Sequence, residues 1–282
     1  MTAPTDRNGV TRFCAYLGYP FLALFLAGFW FIAGFVPPPD PAASADQVTA
    51  MFVADGPWIK IGMIVSTAGA VLTLPWQAAI ATQMRRVEGR PYPLTIVWLL
   101  GAALFCLEFV YPLMFWMVTA YRPEIGPEIT QRLNDLAWIS LLGVVGTAVA
   151  QAFALGTVVV RDTAEAPAFP RWYGYFCFWA GLLFLPATLI VFFRSGPFAW
   201  NGIIAWWTVL SVFAGWILVT TALTVRAIDR DTTGPSPDPA GLDEVADRVR
   251  ALEDEIRAWK RHLPAEGAAA NGTTSGVGAG SG

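Results

Sequence analysis

One acidic side chain, Glu108, lies deep inside an otherwise apolar stretch and is the residue best placed to do chemistry. It falls almost midway between Leu94 and Ala120, and every other residue of that stretch is uncharged. An ionised carboxylate is costly inside a bilayer, so we expect the neutral acid to predominate near neutral pH. Glu108 then either takes up and releases a proton during transport or donates a hydrogen bond that joins two helices.

Polar side chains at a similar depth in the other apolar stretches are the candidate partners of Glu108. Neither lysine nor arginine occurs at that depth, which removes the simplest charge partner. Tyr111 follows three residues later and shares the helix face of Glu108. The candidate intramembrane polar site therefore consists of Glu108, Tyr111, Thr73, Gln77, Gln151 and Ser211.

Three prolines, Pro75, Pro112 and Pro186, lie within apolar stretches rather than at their ends. Each removes a backbone hydrogen bond and bends its helix, and the freed carbonyl can face a polar pocket. Because Pro112 is one helical turn from Glu108, we expect an internal cavity near this carboxyl group.

The sequence offers no other obvious chemistry. No motif of a known catalytic type is present, and the single histidine, His262, lies in the polar C-terminal tail. Cys14, Cys106 and Cys177 sit in apolar runs without metal-ligand spacing. We therefore expect no catalytic residue, no metal and no cofactor. The net charge of -3 provides no basic surface for nucleic acid.

The composition places these residues in a membrane. Of 282 residues, 55% are hydrophobic and 14% are charged, whereas roughly 25% are charged in an ordinary soluble domain. Crossing a bilayer takes a helix of about 20 apolar residues. Six stretches qualify, so the predicted fold class is all-α, an integral membrane six-helix bundle. The predicted spans are residues 13–36, 59–84, 94–120, 136–160, 172–193 and 202–228.

The distribution of lysine and arginine indicates how these spans are oriented. Nine of these residues lie in residues 1–12, around the second and fourth loops and at the start of the C-terminal tail, and four lie around the remaining loops. Cytoplasmic segments are enriched in basic residues, so both termini are predicted to be cytoplasmic. An even number of spans agrees with that orientation.

The predicted outer loops carry two further features. Ser44 and Gln47 have the spacing of a capping box and begin an amphipathic helix of about residues 44–55, which should end near Gly56 and Pro57. Polar groups at the ends of the third to sixth spans form a candidate outer vestibule for a polar or anionic substrate. The other interpretation is a structural clasp, an ion pair of Asp135 with Arg194 or with Arg122. The vestibule residues are Arg122, Arg132, Asn134, Asp135, Arg194 and Asn201.

Tryptophan residues gather near the predicted span ends. This placement is typical of the aromatic belt that anchors helices at the two membrane surfaces. Interfacial anchoring therefore accounts for most of them without a ligand. The residues in question include Trp58, Trp116, Trp138, Trp172, Trp200 and Trp206.

The C-terminal tail contains a heptad-like pattern. After a linker, residues 229–241, apolar residues recur in residues 242–262 with alternating spacings of three and four, which favours a short cytoplasmic coiled coil over a helix that folds back. We therefore expect a homo-oligomer, with a dimer favoured. The a and d positions are Leu242, Val245, Val249, Leu252, Ile256 and Trp259. Residues 263–282 are rich in small residues and should be disordered.

Four sequence runs are distinctive as a set: GFVPPPDP from Gly34, QMRRVEGR from Gln83, RLNDLAW from Arg132 and GPFAWNG from Gly196. Together they resemble an uncharacterised, mainly actinobacterial family of six-span membrane proteins. The resemblance covers about residues 34–228. It implies a multi-pass protein of the bacterial cytoplasmic membrane, and because that family has no assigned activity, it implies no site residue.

Three functions remain open. Glu108, the internal prolines and the polar outer mouth favour a small-molecule permease or proton-linked transporter. The lack of catalytic chemistry favours a membrane scaffold or accessory subunit that assembles with itself or with a membrane protein partner through its C-terminal helix. The third hypothesis is an intramembrane enzyme acting on a lipid-like substrate. It is the least favoured, because the spans offer one buried acid and no metal ligands for catalysis.

Overall fold

Six apolar helical segments form one bundle in the computed structural model, which describes residues 8–233, 248 and 250–257. Each segment is long and apolar enough to cross a bilayer, so the chain is a multi-pass membrane protein. The described residues contain no β-strand, and the predicted all-α six-helix bundle is confirmed. The spans are Gly9–Ile32, Ala45–Glu88, Pro93–Tyr121, Pro127–Arg161, Arg171–Phe192 and Ile203–Asp231.

The spans consist of α-helices joined by short non-α segments. The α-helices are α1 (Gly9–Tyr16), α2 (Gly18–Leu26), α3 (Ala45–Val71), α4 (Thr73–Glu88), α5 (Pro93–Tyr121), α6 (Pro127–Gly143), α7 (Gly146–Arg161), α8 (Arg171–Phe184) and α9 (Val209–Thr233). Two π-helical segments, Ala27–Ile32 and Ile203–Thr208, and the 3-10 segment Leu185–Phe192 complete the first, sixth and fifth spans, and the 3-10 turn Pro123–Ile125 connects the third span to the fourth. The third span, α5, packs against both the second and the fourth span and so lies near the centre of the bundle.

The internal prolines differ in their effect on the helices. Pro75 follows the break between α3 and α4, where the Leu72 N–H donates a hydrogen bond of 2.9 Å to the Gly69 carbonyl oxygen. Pro186 lies at the start of the 3-10 segment that completes the fifth span. Pro112, in contrast, lies inside the continuous helix α5. Two of the three prolines therefore accompany an interruption, as expected from their missing N–H groups.

The amphipathic helix predicted for residues 44–55 begins where expected but does not end there. Ser44 and Gln47 form the complete capping box, with the Ser44 N–H donating to Gln47 Oε1 at 2.8 Å. The predicted end at Gly56 and Pro57 is wrong, because α3 continues through Pro57 to Val71. The fixed φ angle of proline is compatible with a helix, and Gly56 adopts the helical conformation without a steric need for glycine, since a Cβ there would lie at an ordinary 3.6 Å from the Ala120 carbonyl oxygen.

Several tryptophans expected at the membrane surfaces are instead buried in the bundle. Trp116 and Trp138 are fully buried, with ring centroids 4.9 Å apart in an edge-to-face arrangement. The ring centroid of Trp138 lies 5.6 Å from that of Trp206, which packs edge-to-face, and 6.0 Å from that of Trp200, which is stacked on it. The belt interpretation is therefore wrong for these four residues, whereas Trp58 and Trp172 are exposed.

Ion pairs join the last turns of α9 to α1 and α4 at one end of the bundle. Arg12 Nε lies 3.3 Å from Asp229 Oδ1, and Arg86 pairs with Asp231. At the same end Glu88 caps α5, because its carboxylate accepts hydrogen bonds from the Leu94 and Thr95 N–H groups at 2.8 and 2.9 Å. The basic loop at residues 83–93 is thus held by specific contacts.

The tail is described in part. Residues 250–257 are helical, and Leu252 and Ile256 are 57% and 53% exposed. Arg257 Nη2 lies 3.9 Å from Glu253 Oε2, one turn away. Residues 1–7, the linker after residue 233 and the predicted disordered tail lie outside the described residues. The same holds for the heptad positions Leu242, Val245, Val249 and Trp259.

Candidate functional site

Glu108 lies near the middle of α5, and its carboxyl group is bonded to the fourth span. The Thr147 hydroxyl donates a hydrogen bond to Glu108 Oε2. Thr147 is the second residue of α7, directly after the break between α6 and α7. The described residues provide no hydrogen-bond partner for Glu108 Oε1, and the side chain is only half-buried.

Glu108 lines a cavity of about 70 Å³ inside the bundle. The cavity is partly open and is large enough for several water molecules. Apart from Glu108, every lining side chain is apolar or aromatic. These residues are Phe25, Phe105, Phe109, Leu141, Leu142, Val145, Ala148, Phe184, Trp206, Val209, Leu210 and Phe213.

Interruptions of the helices surround this cavity. Val144 and Val145 separate α6 from α7, and Val145 lines the cavity. Phe184 ends α8 where the 3-10 segment begins, and Trp206 lies in the π-helical start of the sixth span. Non-α backbone inside a membrane is tolerated where it is buried in protein or lines a cavity. The cavity therefore lies where three spans depart from α-helical geometry.

The structure does not bring the predicted polar partners to Glu108. Gln151 lies one helical turn beyond Thr147, and its amide donates hydrogen bonds to Gln77 and to the Trp98 carbonyl. The expected contact between Glu108 and Gln151 is therefore not formed. Tyr111 is 51% exposed, and Ser211 is also exposed on its helix. Thr73 donates to the Ala70 carbonyl at 2.6 Å within its own turn.

Gln77 and Gln151 form a separate, fully buried polar pair between the second and fourth spans. The Gln151 amide donates to Gln77 Oε1 and to the Trp98 carbonyl, the latter at 3.0 Å. The Trp98 indole N–H in turn donates to the Gln77 carbonyl at 3.1 Å. Gln77 Nε2 and Gln151 Oε1 have no partner among the described residues. This pair joins three spans and does not line the Glu108 cavity.

The six residues of the predicted outer vestibule do not lie together in one site. Arg132, Asp135 and Arg194 line one polar recess together with residues 41–45 and Gln131. Within the described part of the chain, neither arginine comes within ion-pair distance of Asp135, so the expected clasp with Arg194 is not formed. The recess nevertheless gathers two positive charges and one negative charge at one end of the bundle.

The other three vestibule residues lie outside that recess. Arg122 lines a different groove, where its guanidinium carbon lies 5.3 Å from the Tyr121 ring centre, and among the described residues it forms no ion pair with Asp135 either. Asn134 is buried and accepts a hydrogen bond from the Trp116 indole at 3.1 Å, which is a structural role. Asn201 lies in the turn before the sixth span.

Sequence reasoning missed Thr147 and the aromatic residues around the cavity. Two glycines, Gly143 and Gly146, flank Val144 and Val145 in the middle of the fourth span, and this pattern could have indicated a break beside Thr147. Among the described residues, no three His, Cys, Asp or Glu side chains come together in a way that would hold a metal ion. No family model, curated protein or solved structure matches the chain.

Proposed function

We propose that this protein is a proton-linked transporter of small molecules, with Glu108 as the group that takes up and releases the proton. The observation that carries this proposal is the position of Glu108. Its carboxyl group lines an internal cavity near the middle of a span and has one oxygen that accepts no hydrogen bond from the part of the chain that the structure describes. Ionisable residues inside membrane segments commonly mark ion and substrate pathways.

The broken fourth span supports transport over a purely structural role. Many transporters place their binding site beside discontinuous helices near the bilayer midplane. Here α7 begins at Gly146, and Thr147 in its first turn contacts Glu108 directly. A movement of α7 relative to α5 would therefore change the hydrogen bonding of the carboxyl group, which links proton binding to the conformation of the bundle.

The proposed location is the cytoplasmic membrane of a bacterium, with both termini in the cytoplasm. Basic residues are concentrated at the end of the bundle where Arg12 pairs with Asp229, and this excess supports that orientation. The same end carries Arg85, Arg86 and Arg90. The polar recess of Arg132, Asp135 and Arg194 would then face the cell exterior.

Transport can be tested with everted membrane vesicles that contain the full-length protein. Respiration acidifies their interior, and the quenching of a pH-sensitive acridine dye reports the gradient. We expect some members of a panel of small amines, carboxylates and neutral amphiphiles to dissipate the gradient. The variant Glu108→Gln should lose this response, because glutamine keeps the hydrogen bonding of a neutral acid but does not titrate.

A matched variant controls for the substitution itself. Glu124→Gln makes the same change at an exposed position of the turn Pro123–Ile125, and it should respond like the wild type. A dye response that persists in Glu108→Gln would contradict proton coupling through this residue. Detergent extracts of both variants should show equal amounts of monodisperse protein, which separates loss of transport from loss of folding.

Self-association through the tail is a second candidate function, as expected for a scaffold or accessory subunit. Leu252 and Ile256 are one helical turn apart and more than half exposed, so residues 250–257 present an apolar face. In native mass spectrometry of the full-length protein we expect dimers. The double variant Leu252→Glu/Ile256→Glu should be monomeric, because charges at a and d positions destabilise a coiled coil.

The control for this experiment is Ala251→Glu, which places the same charge on an exposed position of the same helix outside the a and d positions. This variant should remain dimeric. Dimers of equal abundance in the double variant would contradict assembly through this helix. A complex with a different membrane protein would favour the accessory-subunit function.

A further inference from the structure

The cavity around Glu108 contains a single ionisable group. Helices α2, α5, α6, α7, α8 and α9 and the π-helical segment Ile203–Thr208 all contribute to its walls. From none of these elements does a second charged or titratable side chain line the cavity. An ionised Glu108 would therefore have no positive partner among the described residues that line the cavity, and its charge must be compensated by whatever occupies the cavity.

The walls are mainly aromatic. Phe25, Phe105, Phe109 and Phe213 pack on one another beside Glu108, with Phe25 and Phe109 ring centroids 5.0 Å apart and Phe109 and Phe213 centroids 5.6 Å apart. Aromatic rings attract cations, and organic ammonium groups are recognised in proteins by such rings. The cavity thus combines one carboxyl group, with its free oxygen Oε1, and a set of aromatic side chains.

We infer that this cavity binds an organic cation in exchange for the Glu108 proton. The inference rests on the proposed proton-linked transport and names its substrate class. An anion would meet no positive side chain in the cavity, and a neutral molecule would not displace a proton. Among the described residues that line the cavity, Glu108 alone offers side-chain oxygen atoms, and one of these already accepts the hydrogen bond of Thr147, so the lining suits an organic cation better than a metal cation that needs several oxygen ligands.

The exchange leaves the charge of the cavity unchanged. When the cation enters, the O–H bond of the Glu108 carboxyl group breaks and the proton passes to bulk water. The carboxylate that remains pairs with the ammonium group, and Thr147 continues to donate to Oε2. When the cation leaves, a proton returns to the carboxylate. A cavity that is neutral in both states avoids the cost of an isolated charge in the membrane.

Proton release from purified, full-length protein in weakly buffered detergent solution tests this exchange. A soluble pH indicator reports the release when methylammonium chloride, a cation small enough for a cavity of about 70 Å³, is added at the same pH. We expect about one proton per bound cation near neutral pH. Methanol, a neutral molecule of similar size, and sodium formate, a small anion, should release none. Sodium chloride at the same concentration controls for ionic strength.

Two variants connect the release to this cavity. Glu108→Gln should release no proton, and Glu124→Gln should behave as the wild type. Ala148→Leu keeps Glu108 but fills the cavity from α7, because Ala148 is buried and lines it. This variant should also lose most of the release, which keeps the test informative if Glu108→Gln proves unstable.

The possible failures are distinguishable. Equal proton release from Glu108→Gln, or release by methanol or sodium formate, overturns the inference. Absence of release with methylammonium, while other compounds still dissipate the vesicle gradient through Glu108, also overturns it and leaves proton-linked transport standing. Proton release in detergent without any Glu108-dependent response in vesicles supports the cation site and contradicts transport.

Discussion

Replacing Gly62 by alanine is expected to destabilise the protein by about 3 kcal/mol, because one methyl group cannot fit between the first two spans. A Cβ on Gly62 would lie less than 3.0 Å from the Gly28 carbonyl oxygen and 2.7 Å from Ala33 Cβ. The obstacle is backbone, which cannot rotate away as a flexible side chain can. Small residues at such crossings let membrane helices approach closely, and this contact holds the first span in place.

The effect can be measured as the free energy of unfolding in mixed detergent micelles. Gly215→Ala is the matched control, since it makes the same change inside α9, where a Cβ meets nothing within 4 Å. Alanine favours the helix over glycine, so this variant should equal or exceed the wild type in stability. A loss of less than about 1 kcal/mol in Gly62→Ala would contradict the close approach of the two spans.

The number and approximate position of the spans were predictable because they depend on local composition. Six runs of apolar residues predict six spans in any arrangement of the bundle. The start of α3 was equally local, since Ser44 and Gln47 cap each other within one turn. Pro75 and Pro186 likewise act on their own helices, but the sequence made the same prediction for Pro112, which lies inside the continuous helix α5.

The partners of Glu108 were not predictable, because they depend on the axial register and the rotation of each helix relative to its neighbours. Residues 147 and 151 lie one turn apart on the same face of α7, and hydropathy does not fix the depth of a helix to within one turn. Register and rotation are set by packing between helices and by breaks such as the one at Val144 and Val145. The same limitation placed Trp116 and Trp138 in an interfacial belt, although both are buried beside Asn134 and each other.

The second large effect is expected for Gln151→Met, which removes the amide that joins the second, third and fourth spans. Methionine keeps the unbranched shape that fits against Gly101, where a Cβ would lie 2.7 Å from Gln151 Cγ. The change leaves Gln77 Oε1 and the Trp98 carbonyl without this donor inside the bundle. We expect a loss of about 2 kcal/mol in the free energy of unfolding.

A double-mutant cycle separates this structural role from a role in transport. In Gln77→Met/Gln151→Met both amides are replaced, so no side-chain amide is left unpaired, and the double variant should be more stable than Gln151→Met alone. If the loss in free energy of unfolding of the double variant equals the sum of the losses of the two single variants, a direct bond between the two side chains is contradicted. If the pair only joins helices, the double variant should keep the vesicle response of the wild type. Stable protein without that response would instead assign Gln77 and Gln151 to the transport route, together with Glu108.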